Sequence, residues 1–211
     1  AYIWHLYWRG SNVVWKMTAM RWQLDESKFL TPKEVKQLRE AAKKATPTER
    51  FLLELGLATG LRVAEMAALK IGDFAVSNGR NSVLVRSGKG GKSRVVKLPP
   101  YFKRVLKDYI RHKERAGEPT DEEAPLFYSR RTGGALSVRA LQKAFKRLLL
   151  KAGLDAKKFS IHCLRHTYAV ELFRASGWNL RLVQQQLGHS TIMVTEVYAN
   201  LFSPALTAAL S

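Results

Sequence analysis

Apolar positions recur at helical spacing through most of the chain, and one stretch near the middle alternates instead. Helical patterns run over residues 32–45, 47–58, 62–69, 101–116, 137–152 and 161–176, with shorter ones at 179–187 and 190–197. The first two carry start signals. Thr31-Pro-Lys-Glu34 and Thr46-Pro-Thr-Glu49 each set a hydroxyl before a proline and a glutamate three residues on, the pattern of a capping box with proline at the first helical position. Gly60 breaks the chain before the third helix. Phe74 to Leu98 reads as strands, with Ser82–Arg86 and Arg94–Leu98 flanking the turn Gly88-Lys-Gly-Gly-Lys-Ser93, and Pro99 and Pro100 end that sheet. Gly117 to Pro125 is an acidic loop. The pattern predicts a mostly α protein with a small antiparallel β-sheet, an α+β fold, in one main domain that begins at Thr31.

The two flanks read differently. Residues 1–28 hold Trp4, Trp8, Trp15 and Trp22, four of the five tryptophans, without a clear helical or alternating period. This stretch is expected to be either an arm packing on the domain or the remnant of a linker, since the first residue is Ala and not Met. Residues 202–211 form a short apolar tail. The longest uncharged run, Val197 to Ser211, has 15 residues and contains Pro204, short of the roughly 20 a spanning helix needs. No basic region, apolar block and cleavage site follow one another at the N-terminus, so no secretory signal is expected. A single cysteine, Cys163, excludes an intramolecular disulfide framework and a multi-cysteine zinc site. These features predict a soluble protein of a reducing, cytoplasmic compartment, with no membrane partner.

Composition adds one decisive fact. Of 211 residues, 36 are Lys or Arg and 17 are Asp or Glu, a formal net charge of +19. The excess is spread over Arg86–Lys97, Lys103–Arg115, Arg130–Lys151 and Lys157–Arg165. A membrane-surface protein would concentrate it on one amphipathic helix. A spread of basic segments suits a surface wrapping a long polyanion, and nucleic acid is the partner this predicts.

Three segments carry candidate chemistry. In Ser160-Ile-His-Cys-Leu-Arg-His-Thr-Tyr168, His162 and Arg165 are three apart and share a helix face; they suit an anion, or form a surface cluster on a basic protein. In Leu187-Gly-His-Ser190, His189 directly precedes a helix start, where a phosphate is favoured. Tyr198 follows nine residues later, a position that equally suits a half-buried packing residue. In Ala58-Thr-Gly-Leu-Arg-Val-Ala-Glu65, Arg62 and Glu65 could be an exposed ion pair. A zinc site made of His162, His166 and His189 is disfavoured, because no glutamate lies in the His-x-x-x-His stretch and Arg165 repels a dication.

Taken in order, Thr-Gly-Leu-Arg-Val-Ala-Glu, Gly-Lys-Gly-Gly-Lys-Ser-Arg, His-Cys-Leu-Arg-His-Thr and Leu-Gly-His-Ser followed by Tyr198 resemble the catalytic domain of the tyrosine recombinase (phage integrase) family, over Phe29 to Leu201. The resemblance implies a site-specific recombinase or integrase domain that cleaves and rejoins DNA through a 3′-phosphotyrosyl intermediate, without metal, ATP or other cofactor. By its place in the motif, Tyr198 would be the nucleophile. Arg62 and Arg165 would clamp the non-bridging oxygens of the scissile phosphate. Lys89 would protonate the departing 5′-oxygen, with Lys92 its rival for that role. His162 would serve as general base or phosphate ligand and His189 as a hydrogen-bond donor to the phosphate. Glu65 would orient these side chains, and Lys92 and Arg94 would contact the DNA backbone.

Several expectations follow from the same resemblance. Double-stranded DNA is the partner, bound by a tetramer on synapsed DNA formed from a protein monomeric when free, and nucleoid-associated in a prokaryote. The tail 202–211 is either donated to a neighbouring protomer or packed on its own domain. Family members usually carry a further N-terminal helical domain that closes a clamp around DNA, for which residues 1–28 leave no room. Two alternatives remain at this stage: a nicking-closing enzyme like a type IB topoisomerase or a relaxase, and a non-catalytic DNA-binding protein.

Overall fold

Both capping boxes form. The hydroxyl of Thr31 accepts from the Glu34 amide at 3.3 Å while the Glu34 carboxylate accepts from the Thr31 amide at 2.7 Å, and Thr46 and Glu49 repeat the arrangement at 3.2 Å in both directions. Each cap contributes about 1 kcal/mol and fixes where its helix starts. The computed structural model describes residues 2–9, 12–19, 28–77, 80–86 and 93–188.

The elements are β1 (Tyr2–Arg9), β2 (Asn12–Ala19), α1 (Pro32–Lys43), α2 (Pro47–Thr59), α3 (Val63–Ala68), β3 (Phe74–Ser77), β4 (Arg80–Val85), β5 (Arg94–Lys97), α4 (Phe102–Arg115), β6 (Tyr128–Ser129), β7 (Gly134–Ala135), α5 (Val138–Lys151), α6 (His162–Ala175) and α7 (Leu180–Leu187). The fold is mostly helical with a small antiparallel sheet, β3-β4-β5, in which Phe74 pairs with Val83 and Val83 with Val96. The helical pattern at 190–197 lies outside the described residues.

Two parts of the chain differ from expectation. Where no clear period was read, β1 and β2 pair antiparallel from Tyr2 opposite Ala19 to Arg9 opposite Asn12. Their β-branched and aromatic content suits an extended chain, and a period of two is present, with Tyr2, Trp4, Leu6 and Trp8 in register with Ala19, Met17, Trp15 and Val13, blurred only by Ile3, Tyr7 and Val14 on the other parity. The second difference is β6 with β7, two residues each, too short to leave any periodic trace.

Helix α2 is apolar nearly all round, and a helix of that kind is buried. Phe51, Leu52, Leu53, Leu55 and Ala58 are all in the core, with α1, α4, α5 and α6 packed about them. Phe51 stacks on Tyr109 with ring centroids 4.1 Å apart and meets Phe102 and Phe127 in tilted contacts at 5.8 Å. A Cβ at Gly56 would lie 2.6 Å from Leu164 Cδ1 and 3.1 Å from its Cβ, so α2 and α6 approach closely there and a larger residue would have to displace the Leu164 side chain. A second, smaller cluster of Ala169, Val170, Phe173, Val183 and Leu187 joins α6 to α7.

One buried carboxylate ties the ends of the bundle. Glu49, 1% exposed, caps α2 and also accepts from Arg147 Nε at 2.7 Å and Lys151 Nζ at 2.8 Å on α5. Burial pushes its carboxyl up, and the bonds from Lys151, Arg147 and the Thr46 amide more than offset this, holding it below the usual carboxylate range.

Candidate active site

The site grows from the junction of α2 and α3. Gly60 ends α2 in the left-handed conformation, φ +61°, and a Cβ there would lie 2.3 Å from Tyr168 Cδ1 and 2.9 Å from Leu187 Cδ2. Only glycine suits both the dihedral and the space. The turn releases Leu61 into the core and makes Arg62 the residue capping α3. At that cap the Glu65 carboxylate reaches back. Its Oε2 accepts from the Arg62 amide at 2.8 Å and its Oε1 from Arg62 Nη1 at 3.0 Å.

Arg165 lies on α6, in the half nearest its N-terminus, and is 6% exposed. Its Nη1 donates to the Gly60 carbonyl at 2.7 Å and its Nη2 to the Leu187 carbonyl at 2.8 Å. The first bond satisfies an orphan carbonyl at the end of α2, the second one at the end of α7. One guanidinium therefore joins the segment that carries Arg62 to the helix that leads into His189. Gly188 ends α7 in the left-handed conformation, φ +65°.

Arg94 opens β5, as the sequence predicts, and its side chain turns inward. Period-two alternation along β5 puts Val95 outward, 55% exposed, and Val96 in the core, so Arg94 shares the inner face with Val96. Its side chain is 12% exposed. Its Nη1 and Nη2 donate to the two Glu65 oxygens, each at 2.9 Å, and its Nε to the Gln186 carbonyl at 3.4 Å. The expected contact to the DNA backbone thus meets a guanidinium already engaged with a buried carboxylate. The physical reason is the face: an inward position on a sheet packed against α7 has Glu65, and not solvent, in front of it.

Glu65 is buried, 7% exposed, and is not half of an exposed ion pair. Burial pushes its carboxyl up, but the bonds from Arg94 and the Arg62 amide, with the charges of both arginines, hold it below the usual range. It is ionised at neutral pH. Two cations share one anion, which leaves the cluster net positive.

His162 opens α6 and is exposed, one turn before Arg165. His166, weighed from sequence only as a metal ligand, is pushed down to about 4 by burial and by the charges of His162, Arg165 and Lys28, so it is neutral at pH 7. Lys89, Lys92, His189 and Tyr198 lie outside the described residues. Among the described residues no three of His, Cys, Asp and Glu gather as a metal site, and no helix is long and apolar enough to cross a membrane.

The structure therefore brings Arg62, Glu65, Arg94 and Arg165 to the ends of α2 and α7, with His162 at the start of α6. Gln186, whose backbone and side chain both serve β5, went unnoticed in the sequence. Its Oε1 accepts from the Lys97 amide at 3.0 Å. A glutamine inside an amphipathic helix carries no local signal of a strand packed against it.

The arrangement is a cationic cluster on a helical scaffold. Residues 28–203 match the phage integrase family, to which the chain belongs. It is 34% identical over 176 residues to the tyrosine recombinase XerA of Pyrococcus furiosus, covering 82% of this chain and 57% of that protein. Among solved structures, it resembles the XerH site-specific recombinase bound to palindromic difH substrate in a post-cleavage complex, with a TM-score of 0.73, 30% identity and coverage of 89% of this chain and 53% of the other. The crystal structure of XerA recombinase superposes with a TM-score of 0.70 and 33% identity, covering 86% and 63%. The chain spans about half the length of the curated relatives it matches.

Proposed function

We propose that this chain cleaves and rejoins double-stranded DNA at specific sites through a covalent phosphotyrosyl intermediate, and that residues 29–201 are the catalytic unit. The observation that carries this is Arg165, held by the Gly60 and Leu187 carbonyls between the Arg62 segment and the end of α7, two residues before His189. Family membership adds the remaining parts.

In this reading the Tyr198 Oη attacks the scissile phosphorus and the bond from phosphorus to the 5′-oxygen breaks. The phenol proton passes to His162, and the departing oxygen takes a proton from Lys89. A phenol with a reference pKa near 10 is mostly neutral at pH 7, so the attack depends on this acceptor and on the positive cage. Arg62 and Arg165 hold the non-bridging oxygens, where transition-state charge accumulates. His189 donates to the same phosphate. A 5′-hydroxyl from another strand reverses the step. Each bond formed replaces a phosphoester bond broken, so no nucleotide cofactor is consumed.

Partner and assembly belong to the same proposal: DNA as substrate, a monomer in free solution and a tetramer on synapsed duplexes. The tail 202–211 is exchanged between protomers, and residues 1–28 form an arm outside the catalytic unit. The test offers a library of nicked duplexes with randomised centres to wild type and Tyr198→Phe in EDTA, followed by an SDS quench and sequencing of the attached DNA. Adducts from wild type alone, enriched in one motif, support the proposal. A flat profile favours a nicking-closing enzyme, and equal adducts in both proteins remove Tyr198 from the reaction.

A further inference from the structure

We infer that Arg94 is a positioning residue for the reaction proposed above, on which this inference rests, and does not contact the DNA backbone. Three observations converge on it. The first is Glu65. A carboxylate offers about four acceptor positions, and four bonds reach this one: the Arg62 amide, Arg62 Nη1, Arg94 Nη1 and Arg94 Nη2. Arg94 shares Oε1 with Arg62, so it draws off half of the carboxylate that would otherwise neutralise Arg62. Arg62 stays pointed by Glu65 yet remains cationic enough to meet a phosphate.

The second observation is the end of α7. Arg94 Nε donates to the Gln186 carbonyl, and a Cβ added to Gly188 would stand 2.6 Å from Arg94 Cδ and 2.7 Å from its Nε. The side chain of Arg94 occupies the space that glycine leaves open. The backbone immediately before His189 therefore rests on Arg94 on one side and is held by Arg165 through Leu187 on the other.

The third is the position of Arg94 itself, the first residue of β5, at the base of the hairpin that carries Lys89 and Lys92. One side chain thus links the α3 cap, the hairpin and the terminus of α7, three segments that each deliver a residue assigned to the phosphate. A lysine in its place keeps the charge but offers no planar fork for two carboxylate oxygens. The consequence is a residue that acts on the rate of the bound complex and not on its formation.

The experiment compares wild type, Arg94→Lys and Arg94→Met. Affinity for a plain 30-base-pair duplex is titrated at several salt concentrations, adduct formation on the nicked duplex is timed at saturating protein, and melting is followed for each variant. The expected result is a salt slope and affinity within about twofold of wild type, because no phosphate contact is lost. The saturating rate falls about 100-fold in Arg94→Met, the scale of an ångström-level misplacement, and also falls in Arg94→Lys at unchanged melting temperature. A slope reduced by about 0.9, one phosphate contact, with the saturating rate intact overturns the inference. So does a melting shift without a change in saturating rate. Wild-type protein that binds DNA and forms no adduct overturns the reaction reading itself, and the role of Arg94 falls with it.

Discussion

Arg165 Nη2 donates to the Leu187 carbonyl at 2.8 Å, so the last residue of α7 is fixed by a side chain from the core of α6. The same guanidinium holds Gly60. In the proposed reaction this arginine would also hold the phosphate, and the two contributions separate by substitution.

Arg165→Lys leaves a cation but cannot reach two carbonyls in one plane. It is expected to lower the adduct-forming rate by about 10²–10³-fold, the range for loss of one preorganised donor to a transition state. Arg165→Ala also leaves two buried carbonyls without this donor, at about 1–3 kcal/mol each. Single-turnover cleavage and thermal melting, measured on both variants, check the two effects.

Gly60 and Gly117 share the left-handed conformation, with φ +61° and +66°, but differ in what surrounds them. A methyl at Gly117 meets nothing within 4 Å, whereas at Gly60 it meets Tyr168 at 2.3 Å. Gly117→Ala should cost about 1 kcal/mol, the dihedral penalty alone. Gly60→Ala should cost about 2–4 kcal/mol, because Tyr168 or the α2–α3 turn must move as well. Urea unfolding of the two variants side by side measures the difference.

Two kinds of group make stability fall with acid, in different windows. His166 titrates at about 4 in the fold against an ordinary value of 6.5. Its stabilising contribution is complete above 6.5 and is lost as pH falls towards 4, because the unfolded chain takes up the proton first. His166→Gln should flatten that limb of the urea-midpoint profile by on the order of 2–3 kcal/mol. Glu49 and Glu65 are held below the usual range, so their contribution is complete above about pH 4.3 and is lost only as pH falls through their lower folded values. Glu49→Gln should lower stability at pH 7 by about 1–3 kcal/mol, since it weakens hydrogen bonds to two cations, and reduce the further loss below pH 4.

Lys89 and Lys92 are separable by the leaving group. A substrate with sulfur in place of the 5′-bridging oxygen expels a thiolate, whose conjugate acid has a pKa near 8.5, and needs no proton donor. If Lys89 is the acid, Lys89→Ala loses about 10²–10⁴-fold on the oxygen substrate and recovers most of it on the sulfur substrate. Lys92→Ala should instead weaken binding at both substrates and lower the salt slope by about 0.9. Adduct kinetics on the paired substrates check this.

The helix starts were legible because their cause is local. A threonine, a proline and a glutamate within four residues decide the start of α1 and α2 wherever the chain later goes. The order of the motifs around Arg62, Arg165 and His189 was likewise open to reading, since a family resemblance is carried by the order of residues along the chain. The alternation of β1 and β2 was in the sequence but blurred by Ile3, Tyr7 and Val14 on the polar parity, whereas the two-residue strands β6 and β7 are too short to show one.

What the sequence by itself determined is the helices and the short sheet among the described residues, and the reactive residue types, all consequences of spacing within a few positions. Only the tertiary structure decided what holds each cation. The sequence reading sets Arg165 at the phosphate and Arg94 at the DNA backbone; in the fold Arg94 is engaged by a buried carboxylate, and Arg165 is anchored through one bond from each Nη to the carbonyl ends of two helices. Burial is the reason. A guanidinium brought inside must find acceptors, and its acceptors here come from residues 29, 105 and 22 positions away along the chain, which no local pattern brings together.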